Sequence, residues 1–340
     1  MVRGALVVLV VVLVLAAGGA RWLHAQPSFY EGKTIHLTVG FGAGGGFDTY
    51  ARTIARHMGR HVPGTPTIIV ENMTGAGGLI TANHVYKVAK PDGLTIGHFI
   101  GGLFMLQVFG KPGVEFDARK FEYVGVPVKD NPVCTLTRAS GITSIEKWLA
   151  SKTRVKIGAV APGSTTEDAP KLLAAAIGVP LQVVSGYKGT SEIRLAADGG
   201  EVAGGCWGWE SVRATWRKAL ETGEVVVVVQ MAPEPVAELA NVPLAMTYAK
   251  TDEGRQLVRF IQNAGAITRP FVVTPGTPKD RVQLLRKAFL DTFKDPEFQA
   301  EAQKTKLDIG PMSGEELERI VHGLFKLEPA FLTRLKDILK

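Results

Sequence analysis

Five glycines crowd the seven residues from Gly40 to Gly46, and they sit between two segments of opposite periodicity. Upstream, Ile35, Leu37 and Val39 alternate with polar residues as a half-buried strand does. Downstream, Ala51, Ile54, Ala55 and Met58 fall at i, i+3, i+4 and i+7, which predicts a helix from about Phe47 to His61 with one buried face. A strand that turns into a helix through a loop with almost no side chains brings backbone N–H groups close to whatever lies above it. The positive end of the helix dipole points the same way, so the stretch outlines an anion site.

The same construction recurs along the chain. Thr67 to Val70 reads as a strand, followed by Glu71-Asn72 and the glycine turn Gly75-Ala76-Gly77-Gly78, then a helix from Leu79 to Ala89. After the tight turn Pro91-Asp92-Gly93, Leu94 to Phe99 makes a third strand ending at Gly101-Gly102. This βαβ order predicts a parallel sheet, with ligands beyond the carboxyl ends of its strands. Lys129-Asp130-Asn131-Pro132 is the expected crossing into a second sheet. There Val155 to Val160 is a strand, Ala161-Pro162-Gly163-Ser164-Thr165-Thr166 a second strand-to-helix turn, and Ala169, Leu172, Leu173 and Ala176 the buried face of its helix. Leu181 to Val184 is the next strand, Gly186-Tyr187-Lys188-Gly189 a turn, and Thr190 to Asp198 a helix. Val202 to Trp209 is expected to be a strand, placing Trp207 and Trp209 on one face. Val225 to Val229, wholly apolar, is expected to lead the chain back to the first sheet. The predicted division is residues 26–129 and 229–340 for one domain and 130–228 for the other. Asp295-Pro296 and the Ser313/Glu316 capping box mark helix starts near the C-terminus.

Arg3, the apolar run Ala5 to Ala17 and small residues up to Ala25 read as a signal peptide of residues 1–25, cut after Ala25 or, second, after Ala20; an uncleaved anchor is the alternative. Its removal takes away Arg3 and Arg21, so the net charge falls from +7 to +5. No arginine-rich run with interleaved aromatics points to nucleic acid. Cys134 and Cys206 are too few for a disulfide scaffold; one bridge between them fits an oxidising compartment, and two buried thiols are the favoured expectation.

The chemistry these motifs exclude is as informative. Gly40-Phe41-Gly42-Ala43-Gly44-Gly45 matches the dinucleotide fingerprint G-x-G-x-x-G, with Glu71 ending the next strand. Export away from the nucleotide pool, the distant Glu71 and the repeated glycine turns argue against an oxidoreductase. Gly163-Ser164 lacks the second glycine of a nucleophile elbow. His57 and His61 lie four apart on a helix without a third ligand, so they are expected to be solvated, and no metal, cofactor or catalytic residue is expected.

From about Tyr30 to Leu335 the chain resembles the substrate-binding receptors of tripartite tricarboxylate transporters, often called Bug receptors. The resemblance rests on Val39 to Asp48, on Val70-Glu71-Asn72 with Gly75 to Gly78, on Pro91-Asp92-Gly93, on Gly163-Ser164-Thr165 and on Tyr187-Lys188-Gly189. It implies an α/β fold of the two-domain periplasmic binding protein type II kind (a Venus flytrap), each domain a mostly parallel sheet flanked by helices. It further implies a periplasmic solute receptor, not an enzyme, that delivers an organic acid to membrane permease subunits. A ligand-sensing receptor shares the same site. One carboxylate of the ligand is then expected between Phe41 to Thr49 and Gly163 to Thr166, with Gly44, Gly45, Gly46, Ser164 and Thr165 as anchors and Ala43, Phe47, Asp48, Gly101 and Thr166 around them. Tyr187 is expected to assist. Two departures stand out. The usual prolines are missing from the first loop, and an acidic-amide pair is replaced by Trp207-Gly208. Trp207 and Trp209, with Phe99 or Phe104, are therefore expected to frame a broad apolar pocket for an aromatic or longer aliphatic acid, and Glu210 to repel a second carboxylate or receive an amine.

Overall fold

The computed structural model describes residues 28–340; the signal-peptide reading falls on residues outside that range. Two sheets form the frame. Strands β1 (Thr34–Val39), β2 (Thr67–Asn72), β3 (Thr95–His98), β4 (Glu122–Val126), β10 (Phe271–Val273) and β11 (Met312–Ser313) build the first, in the order β11-β4-β10-β3-β1-β2. Strands β5 (Pro132–Thr137), β6 (Val155–Gly158), β7 (Leu181–Val184), β8 (Gly204–Gly208) and β9 (Val225–Gln230) build the second, in the order β7-β6-β8-β5-β9.

Both sheets are mixed, which corrects the expectation of mostly parallel ones. The βαβ units supply the parallel pairs β1/β2, β1/β3, β6/β7 and β6/β8, as the alternation of strand and helix dictates. The antiparallel pairs include β10 on β3 and β4, and β5 on β8 and β9. A second correction concerns β9. It does not return the chain to the first sheet but closes the edge of the second, beside β5. The chain rejoins the first sheet only at β10.

The helices used below are α1 (Gly46–Met58), α2 (Leu79–Lys87), α3 (Leu103–Phe109), α4 (Thr165–Ile177), α5 (Thr190–Asp198), α6 (Trp209–Thr215), α7 (Asp252–Ala264), α8 (Lys279–Thr292), α9 (Pro296–Thr305) and α10 (Gly314–Leu324). Helix α1 buries Ala51, Ile54 and Met58 as its period requires. Its His57 is buried, and His61 just beyond its end is half-buried, so neither is freely solvated. His57 Nε2 lies 2.7 Å from a Glu301 oxygen and His61 Nε2 lies 3.0 Å from Asp295, both carboxylates belonging to the α9 region. Asp295 and Ser313 cap α9 and α10 through their side chains, as the sequence predicts. Helix α7 packs on α4, where Gly254 lies so close that an added Cβ would stand 2.6 Å from the Ala176 carbonyl oxygen. Among the described residues no helix is long and apolar enough to cross a membrane.

Cys134 and Cys206 face each other across β5 and β8 and are joined as a disulfide, not left as two thiols. Their register position makes them direct cross-strand neighbours, which sequence spacing alone does not reveal. Two chain crossings run side by side between the sheets. The Asp130 N–H donates to the Gly265 carbonyl at 3.1 Å, and the approach leaves no room for a side chain at 265, where a Cβ would stand 2.2 Å from the Asp130 oxygen.

Candidate functional site

The turns leading into α1 and α4 face the same cavity from opposite sheets, and they are built alike. In each, a glycine with positive φ (Gly44 at +74°, Gly163 at +83°) donates its N–H to an aspartate one turn into the following helix. Gly44 is held by Asp48 at 2.9 Å and Gly163 by Asp168 at 3.1 Å. Burial works against the charge of Asp48, but hydrogen bonds from Arg52, the Gly44 amide and Asn72 outweigh it and hold the carboxyl below its usual range. Asn72 also donates to the Phe41 carbonyl at 2.8 Å, so the Glu71-Asn72 motif props the first loop from beneath. Asp168 has fewer partners, and burial pushes it up to about 7.

Neither helix spends its own side chains on its first N–H groups. Gly45 and Ser164 occupy the N-cap positions of α1 and α4 without a capping hydrogen bond. The Ser164 hydroxyl donates instead to the Ala161 carbonyl and accepts from Thr166, while the Ser164 N–H also goes to Ala161. Thr166 Oγ1 in turn accepts the Val160 N–H at 3.0 Å. These hydroxyls stiffen the turn, and what the turn presents to the cavity is the amide face of the first helical turn.

The cavity holds some 430 Å³ of free space with its open mouth included. Its walls are apolar at Phe41, Phe47, Ile100, Val160 and Trp207. Three buried polar atoms on its lining residues have no partner among the described residues: Arg269 Nη1, Trp207 Nε1 and Ser211 Oγ. Arg269 is 1% exposed, and its guanidinium lies 4.8 Å from the ring centres of Phe47 and Tyr50. Its Nε donates to Asp130 Oδ1 at 2.5 Å, tying the two crossings together. Beside this pair, burial first and then the charge of Asp130 push Glu210 up to about 8. The first loop also reaches across the cleft: Gly42 N–H donates to the Lys188 carbonyl at 3.0 Å, and Ser191 Oγ to the Ala43 carbonyl at 3.1 Å. The cleft is closed.

Of the residues expected at the site, Phe41, Gly45, Gly46, Phe47, Ser164, Thr165, Thr166 and Trp207 line this cavity. Ala43, Gly44, Asp48 and Gly163 lie behind them and fix the loops. Four others lie elsewhere. Gly101 packs against Ile267, where a Cβ would stand 1.9 Å from its carbonyl oxygen. The Tyr187 hydroxyl bonds to Glu201 Oε1 at 2.6 Å, away from the cleft. Trp209 is turned away because β8 ends at Gly208 and α6 starts at Trp209, which breaks the two-residue alternation. Its Nε1 donates to Glu238 at 3.0 Å in a separate hollow shared with Arg213 and Asp308. Glu210 lies beneath the floor, accepting from the Asn131 N–H and side chain. Phe99 and Phe104 are core residues. One tryptophan, stacked on Trp216 with ring centres 5.7 Å apart, therefore stands where two were expected. The sequence reading missed Arg269, Ser211 and Thr190. An arginine just before an apolar strand was the available signal, but its partner Asp130 lies 139 residues away.

The sequence profile of the tripartite tricarboxylate transporter family receptors matches residues 50–335. The chain belongs to this family. Membership makes it a receptor and not an enzyme, and decides against the dinucleotide reading of Gly40 to Gly45. A protein of the TAR-I ttuE-ttuC' intergenic region of Agrobacterium vitis is 26% identical over 203 residues, 58% of this chain and 57% of that protein. A Bordetella bronchiseptica protein is 26% identical over 42% of each. The chain thus spans about half the length of the curated relatives it matches. Among solved structures, the periplasmic binding protein BugD superposes with a TM-score of 0.73 at 22% identity, covering 91% of this chain and 98% of BugD. MatC of Rhodopseudomonas palustris with bound malate gives 0.69 at 22% identity, over 91% and 99%. An adipate complex from the same organism gives 0.71 at 20%, over 90% and 97%. The receptor shares with them the two-domain α/β fold of periplasmic binding proteins.

Proposed function

We propose that the receptor captures the carboxylate of an organic acid between the first turns of α1 and α4 and hands the acid to membrane permease subunits, working in the periplasm after export by residues 1–25. The observation that carries this reading is convergence: two helix N-termini whose N-cap residues make no capping bond, and three unpartnered buried polar atoms, meet at one cavity. Arg269 Nη1 and Trp207 Nε1 can only donate, and Ser211 Oγ can, so the missing partner is a group rich in acceptors. A carboxylate offers about four acceptor sites and a charge that suits both helix dipoles. Malate and adipate in the similar receptors are acids of this kind. The ligand would act as the strut between domains. Only contacts made in the closed state shift the hinge towards closure, and donors contributed by both sheets are such contacts.

The small cavity and the single tryptophan favour an acid with an apolar body over one with several charged groups. Calorimetric titration of hexanoate against hexanamide, which have the same shape and differ in charge, tests the reading. Hexanoate is expected to bind at least tenfold more tightly. Equal affinity for the amide would remove the anion from the account.

A further inference from the structure

Behind the Gly163 to Thr165 turn lies a second space of some 990 Å³, mouth included. Met105 of α3, Leu172 of α4, Phe260 and Ile261 of α7, and Ile320 and Leu324 of α10 form its walls, so helices on both sheets contribute. Thr165 and Thr268 line this chamber and the cleft cavity alike. Those two residues lie between the two spaces. A mostly apolar hollow that adjoins a ligand cleft is suited to an apolar occupant.

We infer that the chamber receives the aliphatic tail of the acid whose carboxylate sits in the cleft, making straight-chain monocarboxylic acids the ligand class. This rests on the carboxylate reading above. The chemistry of the two spaces sets the direction of entry. The cleft offers a guanidinium, whereas the chamber lining is mostly apolar, with Asn263, Thr165, Thr268 and the Asp168 carboxyl as its polar side chains and no cation. An anionic head there would face a carboxyl with no cation to balance it, and a methyl end meets Leu172 and Ile320. Short acids fill the cleft alone. Longer ones pass between Thr165 and Thr268 and bury further methylenes.

The test is a calorimetric series of butyrate, hexanoate and octanoate on the full chain without its first 25 residues. Affinity is expected to rise about fourfold for each methylene added beyond butyrate. Leu172→Trp, which fills the chamber, is expected to abolish the rise and leave butyrate unchanged. Should that variant fail to fold, Gly323→Phe makes the same test, since Gly323 lines the chamber and an added side chain there meets nothing within 4 Å. Affinity that is flat or falling beyond butyrate overturns the chamber as a tail site while the carboxylate reading stands. A rise that survives both filled variants overturns it too. Failure of every acid to bind overturns both.

Discussion

Arg269 is the residue on which the charge balance of the cleft turns. It is a fully buried cation paired with Asp130, and burial together with the Asp130 charge pushes the nearby Glu210 up. A buried guanidinium with a free nitrogen is costly unless something completes its hydrogen bonds, and an arriving carboxylate would do so. Asp168 shows the opposite balance. Its folded value of about 7 lies above the ordinary 3.8, with burial as the main cause. Protonation therefore favours the folded state, so its contribution is fully present below pH 3.8 and is lost as pH rises to 7. Asp168→Asn keeps an oxygen for the Gly163 N–H and removes the titration. Its melting temperature relative to the parent is expected to climb between pH 4 and pH 7 and level off above. A pH-independent difference would contradict the assignment.

At the scale of elements, the sheet that carries Trp207 is fastened by the Cys134–Cys206 bond across β5 and β8. The bond closes a loop of 72 residues, for which the chain-entropy model gives about 4 kcal/mol. Cys134→Ser with Cys206→Ser is expected to destabilise the protein by roughly that amount, and dithiothreitol to lower the parent's melting temperature but not the variant's. An unchanged denaturation midpoint in the double variant would refute it. What could be foreseen in the sequence was local. The β1 and β6 turns, the periods of α1 and α4 and the caps at Asp295 and Ser313 depend on neighbours a few residues away, and they stand where the pattern put them. What could not be foreseen depends on pairing. The sheet that takes β9, the disulfide and the Asp130–Arg269 contact are fixed by strand order, which one sequence does not display. Trp209 was misplaced for a different reason. The shift from strand to helix at Gly208 follows no proline, cap or change of hydropathy that marks it.

Across the whole molecule, the two crossings at Asp130 and Gly265 lie against each other, and the Asp130–Arg269 pair links them directly beneath the cleft. The site and the two crossings thus share Arg269. On the proposed reading, a ligand that engages Arg269 would act on the segment that joins the two sheets. The same geometry explains why the two turns are alike: each delivers a helix N-terminus from its own sheet, and neither alone encloses an anion. The most direct measurement is a crystal structure of the receptor with a bound monocarboxylate. The account predicts the carboxylate between the first turns of α1 and α4, within hydrogen-bond reach of Arg269 Nη1 and Trp207 Nε1. A carboxylate found instead in the hollow beside Arg213, with Arg269 still lacking a partner, would contradict it.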